Sequence, residues 1–168
     1  HPMDQILHGI VCATITPFTQ DGTLDHLSIR SLCRHLIDAK IDALYALGTN
    51  GEGILLSSKD RKTTAEIMVG EVQHQIPVVI QCGAATTEEA VELARHAAAV
   101  KADGIGIMTP FFFPQDEQAM ISYFVTVAAA ASQLPMYVYN IPSFTNNDLL
   151  PAWVEKIAKL APNFVGGK

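Results

Sequence analysis

The stretch IDALYALGTNGEGILLSS, residues 41–58, decides the fold of this chain. Its first seven residues are almost continuously apolar, which is typical of a strand buried on both faces of a sheet. The glycine-rich loop GTNGEG closes this strand. Ser57 and Ser58 then offer an N-cap for a helix to about His74, with residues 59–62 on its wet side. The stretch therefore predicts one βα unit of a parallel sheet.

The same strand-then-helix pattern repeats along the chain. Further strands are predicted at residues 10–17, 77–82, 104–108 and 134–140 and from Phe164 onward, and further helices at residues 24–39, 86–100, 116–131 and 149–160. Strict alternation of this kind gives parallel crossovers. Two architectures fit: a doubly wound open sheet, or a (β/α)8 barrel, which usually needs about 250 residues. A barrel piece of this length would expose two sheet edges.

Length and composition exclude several classes of protein. We predict a single domain over residues 1–168, in which His1 and Pro2 before Met3 are a tag remnant. Hydrophobic residues make up 49% of the chain and charged residues 17%, which indicates a folded interior. The net charge of -6 offers no basic surface to nucleic acid or anionic lipid. No apolar run reaches the ~18 residues of a membrane helix. We expect neither kind of partner.

The cysteines indicate a reducing compartment and no metal. There are three of them, Cys12, Cys33 and Cys82, and no CxxC or His/Cys spacing suggests a metal site. Cys12 and Cys82 lie in apolar strand-like runs, where a buried reduced thiol is the ordinary explanation. We therefore expect a cytoplasmic protein with neither a metal site nor a cofactor.

Polar residues at the predicted strand ends are the candidates for function, because parallel α/β folds place their sites there in either architecture. The loop GTNGEG combines a hydroxyl, an amide and exposed backbone N–H groups, which can hold a carboxylate without a cation. An ordinary tight turn is the alternative, and the loop matches no phosphate-binding glycine motif. We expect Glu52 to accept backbone N–H bonds that stabilise the loop.

Tyr139 and Lys168 end two consecutive predicted strands and should face the same cavity. Burial lowers the pKa of a lysine, and a neutral amine can attack a ketone to form an imine. A nearby tyrosine can pass the protons that this step releases. The alternative is an ordinary surface lysine.

Three motifs carry a family resemblance. GTNGEG (48–53), YNIP (139–142) and GGK (166–168) occur in the order and spacing of the dihydrodipicolinate synthase and N-acetylneuraminate lyase family. TPF (16–18), followed by DGTLD (21–25), is also similar to that family's first strand and loop. The likeness covers essentially the whole chain after Gly9. It implies an α/β fold, a (β/α)8 TIM barrel of which this chain holds strands 1 to 6 and helices 1 to 5, the N-terminal two thirds.

The resemblance also implies site residues and partners. Lys168 would bind pyruvate, or a 2-keto acid cleaved to pyruvate, as a Schiff base, and Tyr139 would relay protons. Thr49 and Asn50 match the pair that holds the pyruvate carboxylate, with Thr49 also in the relay, and Gly48 begins the same loop. A homodimer or homotetramer is implied by likeness.

Three departures from the family pattern bear on the substrate. In the first, the second hydroxyl of the carboxylate-binding pair has become Asn50, which can still donate a hydrogen bond. Dihydrodipicolinate synthases resemble YNVPSRT after the tyrosine, and their arginine binds the carboxylate of aspartate semialdehyde; here Phe144 takes that place. A phenyl ring cannot pair with a carboxylate. The synthases also resemble TPYYN, whose second tyrosine completes the relay from a neighbouring subunit. Phe112 occupies that place and has no proton to give, while Phe111 and Phe113 suit a dimer contact.

The function we predict is a class I aldolase or lyase that forms a Schiff base through Lys168. Its small-molecule substrates would be pyruvate or a 2-keto-3-deoxy acid and a neutral aldehyde. Genuine 4-hydroxy-tetrahydrodipicolinate synthase is the alternative within the family. A non-catalytic keto-acid-binding homologue is an alternative of another class. An open-sheet nucleotide binder is disfavoured because the chain lacks a glycine-rich phosphate loop.

Overall fold

The computed structural model describes residues 7–168, so the prediction for His1 and Pro2 lies outside the described residues. Strands and α-helices alternate except for two successive α-helices in the last connection. Every predicted element is present; the strand at residues 104–108 has its predicted bounds, and the others have one or both ends shifted by a few residues. The elements are β1 (Val11–Ala13), α1 (His26–Asp38), β2 (Ala43–Ala46), α2 (Ser58–Val72), β3 (Val78–Gln81), α3 (Thr87–Ala99), β4 (Gly104–Met108), α4 (Glu117–Ala130), β5 (Met136–Tyr139), α5 (Pro142–Thr145), α6 (Pro151–Leu160) and β6 (Phe164–Gly167).

The order of the strands selects the barrel over the open sheet. The six strands are parallel, and each lies beside its neighbour in sequence, β1-β2-β3-β4-β5-β6. A doubly wound sheet reverses its strand order at a switch point, whereas a barrel wall is built consecutively. The predicted (β/α)8 architecture with strands 1 to 6 is therefore confirmed, and the open-sheet alternative is wrong.

Side chains of the sheet alternate between two apolar clusters. Leu44 and Ala46 of β2 belong to the larger cluster, which includes residues of the helices. Tyr45, between them, belongs to a smaller inner cluster with Val79, Met108 and Tyr139. This alternation follows from the period of two along a strand. The inner cluster lies next to the strand ends on which the candidate site is built.

Side-chain caps begin four of the helices. Asp25, Ser57, Thr86 and Asp116 each accept a hydrogen bond from the backbone N–H three residues later. The predicted N-cap at Ser57 is confirmed. The single-turn helix α5 was not predicted. It begins with Pro142 and ends at Asn146, whose φ of 59° is left-handed.

The cysteines differ in their burial. All three are free thiols, and the predicted burial is confirmed for Cys82 and wrong for Cys12, while Cys33 of α1 is buried as well. Cys12 is only half-buried because β1 pairs with β2 alone among the described strands. Of the helices in residues 7–168, none has the length and apolar character needed to cross a membrane.

Candidate active site

Three side chains from different strand ends meet at the carboxyl edge of the sheet. The hydroxyl oxygen of Thr49, after β2, lies 3.0 Å from that of Tyr139, the last residue of β5. The amine nitrogen of Lys168, after β6, lies 4.0 Å from the centroid of the Tyr139 ring. β5 and β6 are neighbouring strands, whereas β2 and β5 are separated by β3 and β4, so the contact of Thr49 with Tyr139, 90 residues apart in sequence, is made across the interior of the sheet.

Lys168 continues the pairing of β6 with β5. Its backbone N–H donates to the carbonyl of Val138 at 2.9 Å, and its carbonyl accepts from the N–H of Asn140 at 3.0 Å. The side chain is exposed, so the expected burial of this lysine is not found. The reason is that β6 pairs with β5 alone among the strands of residues 7–168.

The GTNGEG loop is closed by its own backbone. The N–H of Gly53 donates to the carbonyl of Gly48 at 3.2 Å, and the N–H of Glu52 donates to that of Thr49 at 3.1 Å. A Cβ at Gly53 would overlap the carbonyl group of Leu47, whose carbon would lie 2.8 Å away, so only glycine fits.

The side chains of Glu52 and Asn50 do not contribute hydrogen bonds within the loop. The expectation that Glu52 accepts backbone N–H bonds is wrong, because its carboxylate accepts no hydrogen bond from the described residues, although Glu52 stands at the N-cap position of the short 3-10 helix Gly53–Leu55. Backbone bonds already close the turn. The amide of Asn50 donates at 3.4 Å to the carbonyl of Ala13 at the end of β1. Asn50 therefore lies between β1 and Thr49.

A cavity of about 150 Å³ opens beside Thr49. Its walls are formed by Gly48, Thr49, Glu52, Ile54, Leu55, Gln81, Met108, Phe111, Phe144 and Thr145. Glu52 is the one ionisable side chain among them. Phe144 is thus part of the cavity wall, while no described lysine or arginine faces the cavity.

Phe112 lies outside this cavity. Its side chain is 76% exposed and packs edge-to-face against Phe113, with ring centroids 5.0 Å apart. Its φ of 78° is left-handed, which is unusual for a bulky residue. The backbone N–H of Phe112 donates to the carbonyl of Thr145 at 3.1 Å, and this bond ties the strained loop to α5.

Gln81 is a cavity residue that sequence reasoning missed. It is buried at the end of β3, and its side-chain oxygen accepts hydrogen bonds from the N–H groups of Gly83 and Met108. The signal was available, because Gln81 is the one polar residue in the strand-like run PVVIQC, residues 77–82.

Arg61 of α2 binds the backbone at this end of β3. Its guanidinium donates to the carbonyls of Gln81 and Gly83 at 2.8 and 3.0 Å. The residue is only 2% exposed, so its predicted place on the wet side of α2 is wrong. Burial lowers the pKa of Arg61, and the two carbonyl oxygens compensate part of that cost. Arg61 therefore positions the wall of the cavity.

Tyr45 is a second residue that sequence reasoning missed. Its ring lies edge-to-face on Tyr139, with centroids 6.0 Å apart, and the Lys168 nitrogen lies 5.2 Å from its centroid. Its hydroxyl is buried and finds no hydrogen-bond partner among residues 7–168. Burial raises the pKa of Tyr45, so the phenol stays protonated. The signal here was a tyrosine within an otherwise aliphatic strand, ALYAL.

The arrangement can support covalent chemistry on a carbonyl compound. An amine is the nucleophile, and a phenol hydrogen-bonded to a second hydroxyl can carry protons to and from the reacting atoms. Within residues 7–168 there is no group of three His, Cys, Asp or Glu side chains that could hold a metal ion.

Known proteins are similar to this chain in sequence and in fold. N-acetylneuraminate lyase of Rattus norvegicus is 40% identical over 170 residues, which cover 96% of this chain and 52% of the relative. The 4-hydroxy-tetrahydrodipicolinate synthase of Bartonella bacilliformis is 34% identical over 163 residues, which cover 97% and 55%. The chain thus spans about half the length of the curated relatives it matches.

A third relative is YagE of Escherichia coli K12, which carries the provisional name 2-dehydro-3-deoxy-D-gluconate aldolase. It is 36% identical over 167 residues, which cover 99% of this chain and 55% of YagE. The crystal structure of YagE in complex with pyruvate superposes with a TM-score of 0.92 at 37% identity, and the match covers 95% of this chain and 53% of that one. The sequence profile of the Dihydrodipicolinate synthetase family matches residues 6–168. This chain belongs to the Dihydrodipicolinate synthetase family.

Proposed function

We propose that the protein to which this chain belongs is a class I lyase or aldolase that forms a Schiff base on Lys168. The observation that carries the proposal is the meeting of the Lys168 amine, the Tyr139 phenol and the Thr49 hydroxyl at one edge of the sheet. Family membership supports a lyase, and the pyruvate bound in the YagE crystal structure supports a 2-keto acid as the compound that Lys168 attacks.

The proposed reaction begins with attack of the amine on the ketone carbon. A C–N bond forms and a proton moves from nitrogen to oxygen to give a carbinolamine; a second proton, donated by the Tyr139 phenol, lets that oxygen leave as water and leaves a protonated imine. Cleavage of the bond between C3 and C4 then sends its electron pair toward the positive nitrogen, the C4 hydroxyl returns a proton to Tyr139, and an aldehyde leaves while an enamine remains on Lys168. Protonation of the enamine and hydrolysis release pyruvate and free the lysine, and condensation runs the same steps in reverse.

The neighbouring groups have distinct proposed roles. The phenol of Tyr139 carries protons to and from the reacting oxygen, and the hydroxyl of Thr49, 3.0 Å away, extends this relay. Thr49, Asn50 and the backbone at Gly48 hold the substrate carboxylate through hydrogen bonds. Phe112 stands where the synthase pattern TPYYN has its second tyrosine, and it has no hydroxyl. The proposed proton relay therefore consists of Tyr139 and Thr49 without that third hydroxyl.

We propose further that the aldehyde is neutral. Phe144 stands in the cavity wall where the synthase pattern has an arginine, and the cavity has no cationic side chain among the described residues. A carboxylate buried there would lack a charged partner and would be costly to desolvate. Sugar-like aldehydes suit the wall better, because the amide of Gln81 and the carboxylate of Glu52 can bond to hydroxyl groups.

The exposed phenylalanines and the free thiols support proposals about assembly and compartment. Phe112 and Phe113 form an exposed apolar pair, and such pairs are typical of contacts between subunits. This supports a homodimer or homotetramer, whose formation can be measured by sedimentation. Three free cysteines support a reducing cytoplasm.

Borohydride trapping of the full-length protein tests the Schiff base. After incubation with pyruvate and reduction, we expect peptide mass spectrometry to locate a pyruvyl adduct on Lys168. Lys168→Ala should abolish the adduct. The control Lys159→Ala removes an exposed lysine in the last turn of α6 and should keep the adduct. Folded protein that forms no adduct would support the non-catalytic keto-acid-binding alternative.

Substitution of Phe144 tests the neutral aldehyde. Phe144→Arg should restore a cation to the cavity wall and lower the KM for aspartate semialdehyde, while activity with neutral aldehydes falls. Leu27→Arg places the same charge on an exposed residue of α1 outside the cavity and is the matched control. Efficient turnover of aspartate semialdehyde by the unaltered protein would support the genuine synthase instead.

A further inference from the structure

Two tyrosine rings face the amine nitrogen of Lys168. Its distances to the ring centroids are 4.0 Å for Tyr139 and 5.2 Å for Tyr45. Both fall within the roughly 6 Å over which an aromatic face attracts a cation. The rings stand nearly perpendicular, at 80°, so they approach the nitrogen from two directions.

No carboxylate competes for this cation in the described part of the chain. None of the ion pairs within residues 7–168 includes Lys168. The cavity shared by Lys168 and Tyr45 has walls from β1, β2, β5 and β6, with Tyr137 as its other titratable side chain. Aromatic faces are therefore the groups that meet the charge.

We propose that Tyr45 is a positioning residue that, together with Tyr139, stabilises the positive charge on the Lys168 nitrogen before and after imine formation. This inference rests on the proposed function. The ammonium form of the lysine and the protonated imine carry their charge on the same nitrogen, so both gain from the two ring faces. The neutral amine and the neutral imine do not gain from them.

The chemical consequence concerns the electron sink. Cleavage of the C3–C4 bond needs a protonated imine, because the electron pair of that bond moves toward the positive nitrogen to form the enamine. Rings that stabilise the cation keep the imine protonated to higher pH. The alkaline limb of the pH profile of adduct formation, on which the imine loses its proton, therefore depends on Tyr45.

The other titratable groups around Tyr45 leave its ring neutral. Tyr139 and Tyr137 of β5 lie beside it, and Cys82 after β3 and Arg61 of α2 act on it electrostatically from the other face of the sheet. Burial, with smaller contributions from Cys82 and Tyr139, raises the pKa of Tyr45. Tyr45 therefore acts on Lys168 as a neutral aromatic face and not as a phenolate.

Gly106 of β4 makes room for this ring. A Cβ at that position would overlap the Tyr45 hydroxyl and would lie 2.6 and 2.8 Å from ring atoms Cζ and Cε2. The missing side chain lets the ring cross the interior of the sheet toward β5 and β6. Its hydroxyl has no hydrogen-bond partner within residues 7–168, so it is the ring and not a hydrogen bond that contacts the site.

The test compares rings of the same shape and different electron density. In the full-length protein, Tyr45 is replaced by phenylalanine and, by non-natural incorporation, by 3,4,5-trifluorophenylalanine, because Tyr45→Leu would leave a cavity that could prevent folding. The adduct of pyruvate on Lys168 is trapped with cyanoborohydride between pH 6 and 10 and quantified by peptide mass spectrometry. Unfolding midpoints confirm that each variant is folded.

We expect Tyr45→Phe to keep the wild-type pH profile. The fluorinated ring should move the alkaline limb, on which the imine loses its proton, to lower pH by about 0.4–0.7 units, which is roughly a three-fold change in the protonated fraction of the imine. A ring that only fills space would change the height of the profile without moving it, and coincident profiles for Phe and the fluorinated ring would overturn the inference. If wild-type protein forms no adduct, the proposed function fails; an adduct with an unmoved profile defeats this inference alone.

Discussion

Gly106→Ala should destabilise the protein because it drives a methyl group into the ring of Tyr45. The new Cβ would overlap the phenol oxygen and lie 2.6 Å from Cζ, well inside contact distance. Tyr45 is only 4% exposed and packs on Tyr139, so it cannot swing into solvent. Overpacking of this kind costs about 1–3 kcal/mol of unfolding free energy.

The backbone effect of the same substitution has the opposite sign. Replacing glycine by alanine within a strand recovers about 0.5–1 kcal/mol of chain entropy. We therefore expect a net loss of about 1–2 kcal/mol for Gly106→Ala. The measurement is denaturant unfolding of the full-length protein, followed by far-UV circular dichroism and compared at constant m-value.

Gly70→Ala is the matched control. Gly70 is exposed in α2, and a Cβ there would meet no atom within 4 Å, so alanine should raise the unfolding free energy by about 0.5–1 kcal/mol. Combining Gly106→Ala with Tyr45→Phe removes the deepest overlap and should recover part of the loss. A Gly106→Ala protein as stable as wild type would refute the placement of the Tyr45 ring.

Three further predictions follow from single contacts. Arg61→Met removes a buried cation with its two hydrogen bonds and should lower the unfolding free energy by about 2–4 kcal/mol. The control Lys59→Met, at an exposed position of the same helix, should leave the unfolding free energy unchanged. Equal losses for the two variants would contradict the buried role of Arg61. Burial raises the pKa of Cys82 to about 12, against an ordinary value of 9.0. The unfolded chain then releases this proton first, so unfolding free energy should fall as pH rises above 9.0. The fall in unfolding free energy with pH should be smaller in Cys82→Ala. Equal pH dependence in the variant and the wild type would argue against a raised pKa of Cys82. Asp116→Ala removes the N-cap of α4 and should cost about 1 kcal/mol, whereas Asp116→Asn should keep most of the stability in the same denaturant assay.

Local pattern was sufficient to predict the secondary structure because its causes are local. Apolar runs, the spacing of apolar residues and capping side chains act within a few residues, and β4 was predicted at its observed bounds, Gly104–Met108. The helix α5 escaped prediction because YNIPSFTN carries no helical periodicity. Its single turn depends on Pro142 at the start and a left-handed Asn146 at the end.

The candidate site was predictable where a residue stands at the end of a strand. Thr49, Tyr139 and Lys168 were found in this way, since parallel strands bring their carboxyl ends to one edge. The side chains that support them were not predictable. Arg61 lies in a run of four charged residues, KDRK at 59–62, in which no pattern distinguishes it from its neighbours. Only its orientation toward β3 shows that it is buried.

The sequence by itself determined the alternation of strands and helices, the apolar sheet and the identity of the residues at the strand ends. The tertiary structure alone decided the consecutive strand order, the place of Phe144 in the cavity wall and the fit of Tyr45 against Gly106. The physical reason is the range of the forces concerned. Backbone preferences act between neighbours in the chain, whereas the contact of Tyr45 with Gly106 depends on the register of β2, β3 and β4, which forms only when distant segments pack together.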